Sequence, residues 1–272
     1  MSGTVIDGLR WEVRTRGMGQ PLLLLHGFSG RGTAWAAHAA AFARSFRVIT
    51  VDLPGHGRSG TAVPGRMTIE RTADDLAAIL RQADAVPAHV LGYSLGARVA
   101  LRLAVAHPDV VRRLVLESPS AGLATEEERA TRRAADDDLA TLIERDGIDA
   151  FVAEWERRPV FASHASLPPA RAARYRAMRL ANRPDGLAAS LRGAGQGSME
   201  PLFDRLAAVS APTLVIAGAL DDRGRPRAQQ VGDGIPGARL EIVDHAGHTP
   251  HEEQPRVFRR LALDFLQEVP AA

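Results

Sequence analysis

A serine between glycines, Gly92-Tyr93-Ser94-Leu95-Gly96, is the first place in this chain where residue type and spacing could do chemistry. The preceding Ala88-His89-Val90-Leu91 reads as a short apolar strand, and Ala97 to Ala106 reads as a helix. A serine on such a strand-to-helix turn has a strained backbone and an exposed hydroxyl. Glycines on either side let neighbouring elements pass where a Cβ would collide. The turn also opens a helix, whose free N–H groups can stabilise an oxyanion. The string alone is common, and a plain Gly-Ser turn without chemistry is the alternative that partners must displace.

A serine needs a base, and the base needs an orienting acid. On elbows of this kind the acid and then the histidine follow the serine along the chain. His248, in Ala246-Gly247-His248-Thr249-Pro250-His251-Glu252, is the candidate base. Thr249 with Glu252 reads as a capping box and Pro250 suits a first helical position, which puts His248 on a loop entering the last helix. His245 and His251 are neighbours with weaker claims. Asp221, just past the apolar run Thr213 to Ala217, is the candidate acid; Asp222 is second and Glu117 third. An oxyanion hole needs two backbone donors, expected at Leu95, after the serine, and at Phe28, after His26-Gly27.

The elements needed to hold these residues alternate. Strand signals at Trp11 to Arg16, Pro21 to Leu25, Arg47 to Val51, 88–91 and Leu114 to Leu116 are separated by helical stretches, one of them capped by Thr68. This is an α/β pattern, a mostly parallel sheet flanked by helices. From Pro119 to Met199 the pattern is helical without a strong strand, and strand signals return at Thr213 to Ala217 and Leu240 to Val243. We therefore expect a core of residues 1–118 and 200–272, with a helical cap at 119–199 inserted after the sixth strand, over the carboxyl ends of the strands.

Composition narrows the function classes. With no cysteine among 272 residues, disulfides, thiolate metal sites and cysteine nucleophiles are excluded. All 34 basic residues are arginine, the net charge is only +2, and no nucleic-acid-binding motif appears. No apolar run has membrane-spanning length, and the first residues lack a secretory apolar region. No paired metal-ligand spacing and no dinucleotide or phosphate loop appears, so neither metal nor organic cofactor is expected. The expectation is a cytoplasmic, monomeric protein acting on a small molecule, with no nucleic-acid or membrane partner.

Leu25-His26-Gly27-Phe28-Ser29-Gly30, Val51-Asp52-Leu53-Pro54-Gly55-His56-Gly57 and the serine elbow resemble the α/β-hydrolase superfamily over nearly the whole chain. The elbow followed by Ala97-Arg98-Val99-Ala100, and Trp155 followed by Pro159-Val160-Phe161-Ala162-Ser163, are similar to the MenH family. That family makes 2-succinyl-6-hydroxy-2,4-cyclohexadiene-1-carboxylate in menaquinone biosynthesis. The resemblance implies a lyase that eliminates pyruvate from 2-succinyl-5-enolpyruvyl-6-hydroxy-3-cyclohexene-1-carboxylate, with Ser94 acting as a base through His248 and Asp221. It implies a polycarboxylate substrate held by Arg98, Arg132 and Arg179, a pocket wall at Trp155, and a role for Tyr93 in bonding or packing. Arg98 lies four residues past Ser94, about one helical turn along the same face. Glu128–Arg132 and Arg132–Asp136 spacings also suit ion pairs on a solvated helix. Where the family often has a second glycine, this chain has Ala97, small enough to keep the packing.

Two other functions stay open on the sequence. One is a serine hydrolase of small esters or of diketone C–C bonds, with Ser94 as a true nucleophile. The other is a non-catalytic small-molecule receptor.

Overall fold

The computed structural model describes residues 2–61 and 65–268; residue 1, residues 62–64 and residues 269–272, all inside the expected core boundaries, lie outside it. Its frame is a sheet of β1 (Ser2–Ile6), β2 (Leu9–Arg16), β3 (Gln20–Leu25), β4 (Phe46–Asp52), β5 (Ala88–Tyr93), β6 (Val111–Glu117), β7 (Thr213–Gly218) and β8 (Arg239–Val243). The strands lie in the order β1-β2-β4-β3-β5-β6-β7-β8. β2 runs antiparallel to both its neighbours, and the remaining pairs are parallel. β1 adds an edge strand to those read from the sequence. Its residues are mostly small or polar and its Val5 is 62% exposed, so no apolar pattern marks it.

The helices are α1 (Ala36–Phe42), α2 (Ile69–Gln82), α3 (Leu95–Ala106), α4 (Glu126–Glu156), α5 (Pro169–Leu180), α6 (Pro184–Ala194), α7 (Gly224–Gly234), α8 (Pro250–Glu253) and α9 (Pro255–Gln267). Thr68 Oγ1 accepts the Arg71 N–H at 3.2 Å and so caps α2. β3 shows why the sheet is covered twice. Leu23 and Leu25 join the cluster that holds Leu76 and Leu80 of α2 and Val99 and Leu103 of α3. Leu22 and Leu24, pointing the other way, join Phe42 of α1 and Phe258 and Phe265 of α9. Burial on both faces accounts for the continuous apolar runs of the central strands.

Between β6 and β7 the described chain forms helices and no strand. Leu139, Ile143, Phe151, Val152, Leu187 and Leu191 make a separate apolar cluster there, with Phe28 packed against it. α4 begins with a capping box: the Thr125 N–H donates to Glu128 Oε2 at 2.9 Å, and the Glu128 N–H donates to Thr125 Oγ1 at 3.1 Å. Glu128 is thereby engaged, and the Glu128–Arg132 pair that the spacing allowed is absent; Arg132 bonds Asp136 instead, at 2.9 Å. Gly147, at φ 81° and ψ −175°, interrupts α4 in a region only glycine occupies readily.

Candidate active site

Strand ends bring the reactive residues together. Ser94 follows β5 at φ 51°, a positive value that a β-carbon makes costly. The backbone is held there by the Ser94 N–H donating to the Glu117 carbonyl at the end of β6, at 2.9 Å. A Cβ on Gly92 would strike the Gly96 carbonyl, and one on Gly96 would strike the Leu25 carbonyl. Both glycines of the motif are therefore required by close backbone approach.

The Ser94 hydroxyl lies 3.0 Å from His248 Nε2, and His248 Nδ1 lies 2.6 Å from Asp221 Oδ2. Asp221 Oδ1 accepts the Gly224 N–H at 2.9 Å, which fixes the carboxylate plane. Burial works against the ionised Asp221, but the His248 hydrogen bond and charge outweigh it and hold its pKa below the usual value. With Asp221 accepting at Nδ1, Nε2 is left to accept the seryl proton. Asp222 is exposed at the cavity edge. Glu117, the third candidate acid, meets His251: its Oε1 accepts both the His251 N–H and Nδ1–H at 2.8 Å. His245 is exposed.

The loop carrying His248 is held from several sides. Ser118 Oγ donates to the His248 carbonyl at 3.0 Å. The capping box expected from Thr249 and Glu252 does not form, and Glu253 replaces Glu252. Glu253 Oε2 accepts the Gly247 N–H at 2.9 Å and the Thr249 N–H at 3.0 Å. α8 is a single turn, so the next residue curls back over the loop while Glu252 turns to Arg174, 2.8 Å away on α5.

Ser94 opens into a cavity of about 790 Å³ lined by both the core and the α4–α6 segment. The N–H groups of Phe28 and Leu95 have no acceptor among the described residues, as free oxyanion donors would. Arg98 lines the cavity, donating to the Ala194 carbonyl at 2.9 Å and pairing with no carboxylate among the described residues. Burial first and Arg132 second pull its pKa down to about 10. Arg132 also lines the cavity, half held by Asp136 and 3.3 Å from Gln196 Oε1. Trp155 lines it too, with its ring against Phe28, Phe151 and Phe161 and its buried Nε1 without a partner. Tyr93 is almost fully buried beside His248, and burial raises its phenol pKa.

Arg179 is not brought to this cavity. It is 3% exposed, donates to Glu156 Oε1 at 3.0 Å, and packs 4.7 Å from the ring centres of Phe161 and Tyr175. Those rings and Glu156 fill the guanidinium's surroundings, and it borders a small recess behind Phe161. Sequence reasoning passed over three other arginines that do line the cavity: Arg158, Arg223 and Arg227. The only local signal was the i,i+4 spacing of the last two.

Strand order, elbow and Ser-His-Asp geometry are those of an α/β hydrolase. The family with the alpha/beta hydrolase fold is matched over residues 20–255, and the chain belongs to it. A Bacillus subtilis (strain 168) protein provisionally named 2-succinyl-6-hydroxy-2,4-cyclohexadiene-1-carboxylate synthase is 39% identical over 269 residues, 98% of each chain. A Salmonella agona (strain SL483) protein with that synthase name is 33% identical over 87% of this chain and 91% of its own. The solved structure of MenH from S. aureus superimposes with a TM-score of 0.90 at 32% identity, covering 94% of this chain and 97% of that one. Within the α/β hydrolases, the chain belongs to the MenH family. Among the described residues no helix is long and apolar enough to cross a membrane.

Proposed function

We propose that this protein is a pyruvate-eliminating lyase, acting on 2-succinyl-5-enolpyruvyl-6-hydroxy-3-cyclohexene-1-carboxylate to give 2-succinyl-6-hydroxy-2,4-cyclohexadiene-1-carboxylate. The observation that carries this reading is a charged, carboxylate-free Arg98 one helical turn from Ser94, facing the same cavity. An esterase for apolar acyl chains gains nothing from a desolvated guanidinium there, whereas a polycarboxylate does.

In this reading Ser94 is a base. His248 accepts the seryl proton as the seryl oxygen removes the ring C–H next to the succinyl ketone. The electron pair forms a new ring double bond, the existing one shifts, and the C–O bond to the enolpyruvyl group breaks. The departing pyruvate enolate takes up a proton on its methylene carbon and becomes pyruvate. The N–H groups of Phe28 and Leu95 hold the enolate-like ketone oxygen as charge builds. Asp221 keeps His248 in the tautomer that can accept. Arg98 and Arg132 bind substrate carboxylates, and Trp155 and Tyr93 wall the ring. Residues 119–199 act as the cap over a core of 1–118 and 200–272. We take the enzyme to be a cytoplasmic monomer with a soluble small-molecule substrate and no nucleic-acid or membrane partner.

The test is pyruvate release from freshly generated precursor. Wild type should release it, and Ser94→Ala should lower kcat by ~10³-fold or more. Turnover of short p-nitrophenyl esters without pyruvate release would make the protein a hydrolase. A covalent acyl-enzyme on the true substrate would contradict the base role.

A further inference from the structure

We infer that Arg158, Arg223 and Arg227 form a second anion subsite at the cavity wall, which takes a carboxylate of the substrate remote from the carbon that reacts. The identity of that carboxylate rests on the lyase reading; the cationic cluster itself does not.

Two segments far apart in sequence supply these side chains. Arg158 follows α4, and its guanidinium carbon lies 4.9 Å from the Trp155 ring centre. Arg223 caps the N-terminus of α7 and Arg227 lies in its first turn. All three line the same cavity as Ser94. None has a carboxylate within ion-pair distance among the described residues, although Arg192, Arg174 and Arg66 elsewhere each find one.

This placement is unfavourable for the fold by itself. Like charges four apart on a helix repel. Cations at a helix N-terminus oppose the helix dipole; the first turn of α7 itself carries no acidic residue, and Asp221 just before it, accepting the Gly224 N–H at 2.9 Å, offsets only part of that cost. Arg132 adds to this: after burial, its charge is the main influence depressing the Arg227 pKa, against the opposing pull of Asp221, and it also lowers that of Arg158, where Glu154 opposes it. Asp136 makes its ion pair with Arg132, and its charge reaches Arg158 only from beyond ion-pair distance. These acids offset the repulsion among the cavity arginines only in part, and a polyanionic ligand would relieve the rest. The subsite also supplies a cation where Arg179 is turned away and held by Glu156.

The double variant Arg158→Met/Arg227→Met keeps side-chain bulk and removes charge. Two readouts separate this proposal from the lyase reading. In the pyruvate assay, KM should rise ~10- to 100-fold with kcat held within ~3-fold, because a remote carboxylate is bound alike in ground and transition states. By calorimetry, propane-1,2,3-tricarboxylate should bind wild type saturably and the double variant at least ~10-fold more weakly. Arg227→Lys in the Arg158 background should recover part of that binding, which a merely structural role would not require. If wild type releases no pyruvate but tricarboxylate binding depends on these arginines, the lyase reading fails and the subsite stands. If wild type releases pyruvate and the folded double variant keeps both its KM and its tricarboxylate affinity, the subsite is overturned and the lyase stands. Absence of saturable tricarboxylate binding to wild type also overturns it.

Discussion

Replacing Arg98 by methionine should move activity and stability in opposite directions. The fall of the Arg98 pKa below its ordinary value, to about 10, corresponds to about 3 kcal/mol against the charged form in the fold. Burial is the larger cause and repulsion from Arg132 the next. Methionine keeps most of the volume and removes that cost, but it gives up the hydrogen bond to the Ala194 carbonyl, worth roughly 1.5–3 kcal/mol for a charged donor. The variant should therefore be between equal to wild type and about 1–2 kcal/mol more stable, as read from urea unfolding. Truncating one side of a desolvated charge pair with substrate costs about 2–5 kcal/mol, so kcat/KM for pyruvate release should fall ~10²-fold or more. Pyruvate release is followed continuously by coupling to lactate dehydrogenase. Turnover within ~3-fold of wild type would remove Arg98 from the substrate. A stability loss of ~2 kcal/mol would make it a structural residue and refute the electrostatic reasoning.

Other expectations concern the groups around the site. Glu117 holds His251 through its carboxylate and Ser94 through its carbonyl, so Glu117→Gln should lower kcat ~10-fold with little change in KM, read in the pyruvate assay. Burial opposes the His251 charge but Glu117 overcomes it, leaving the pKa raised above 6.5. The stability that this pair gives is thus full below about 6.5 and lost as pH rises through the raised value, and the urea-unfolding gap between wild type and Glu117→Gln should narrow in that direction. Acid acts the opposite way on four buried histidines: desolvation holds His26 and His89 at about 4, and His38 and His56 at about 3. The unfolded chain protonates below about 6.5 while these stay neutral, so each costs on the order of 1 kcal/mol by pH 5.5 and the four together several. That is comparable to a whole domain's stability, and urea midpoints should drop steeply between pH 7 and 5.5. A flat profile over that range would show that these rings are protonated in the fold.

Local chemistry explains what could be read from the sequence. The elbow was legible because both glycines answer to backbone contacts within a few residues of Ser94 or with the adjacent β3. His248 and Asp221 follow because an elbow fixes their order and strand ends fix their depth, and the geometry separates Asp221 from Asp222 by which one reaches Nδ1. The errors lie where one turn of backbone or one distant partner decides. Glu252 and Glu253 are adjacent acids after Thr249, and only the brevity of α8 and the nearby Arg174 on α5 assign the cap to the second. Arg179 was placed by similarity of sequence, but its direction depends on Phe161, Tyr175 and Glu156 closing around it.

The arginines pose the sharper problem, since all 34 basic residues are of one type and their identity carries no information. Arg98, Arg158, Arg223 and Arg227 line the cavity without an ion pair among the described residues, whereas Arg132 holds Asp136. Arg129, Arg133 and Arg192 sit among acids on their own or neighbouring helices and are neutralised there. Arg223 and Arg227 share a face of one helix at its wrong electrical end, with no acid in the first turn. Asp221, which accepts the Gly224 N–H at the start of α7, offsets part of that cost, and a bound polyanion would offset more, which is why the placement of these cations is a better guide to the substrate's charge than the number of cations in the chain.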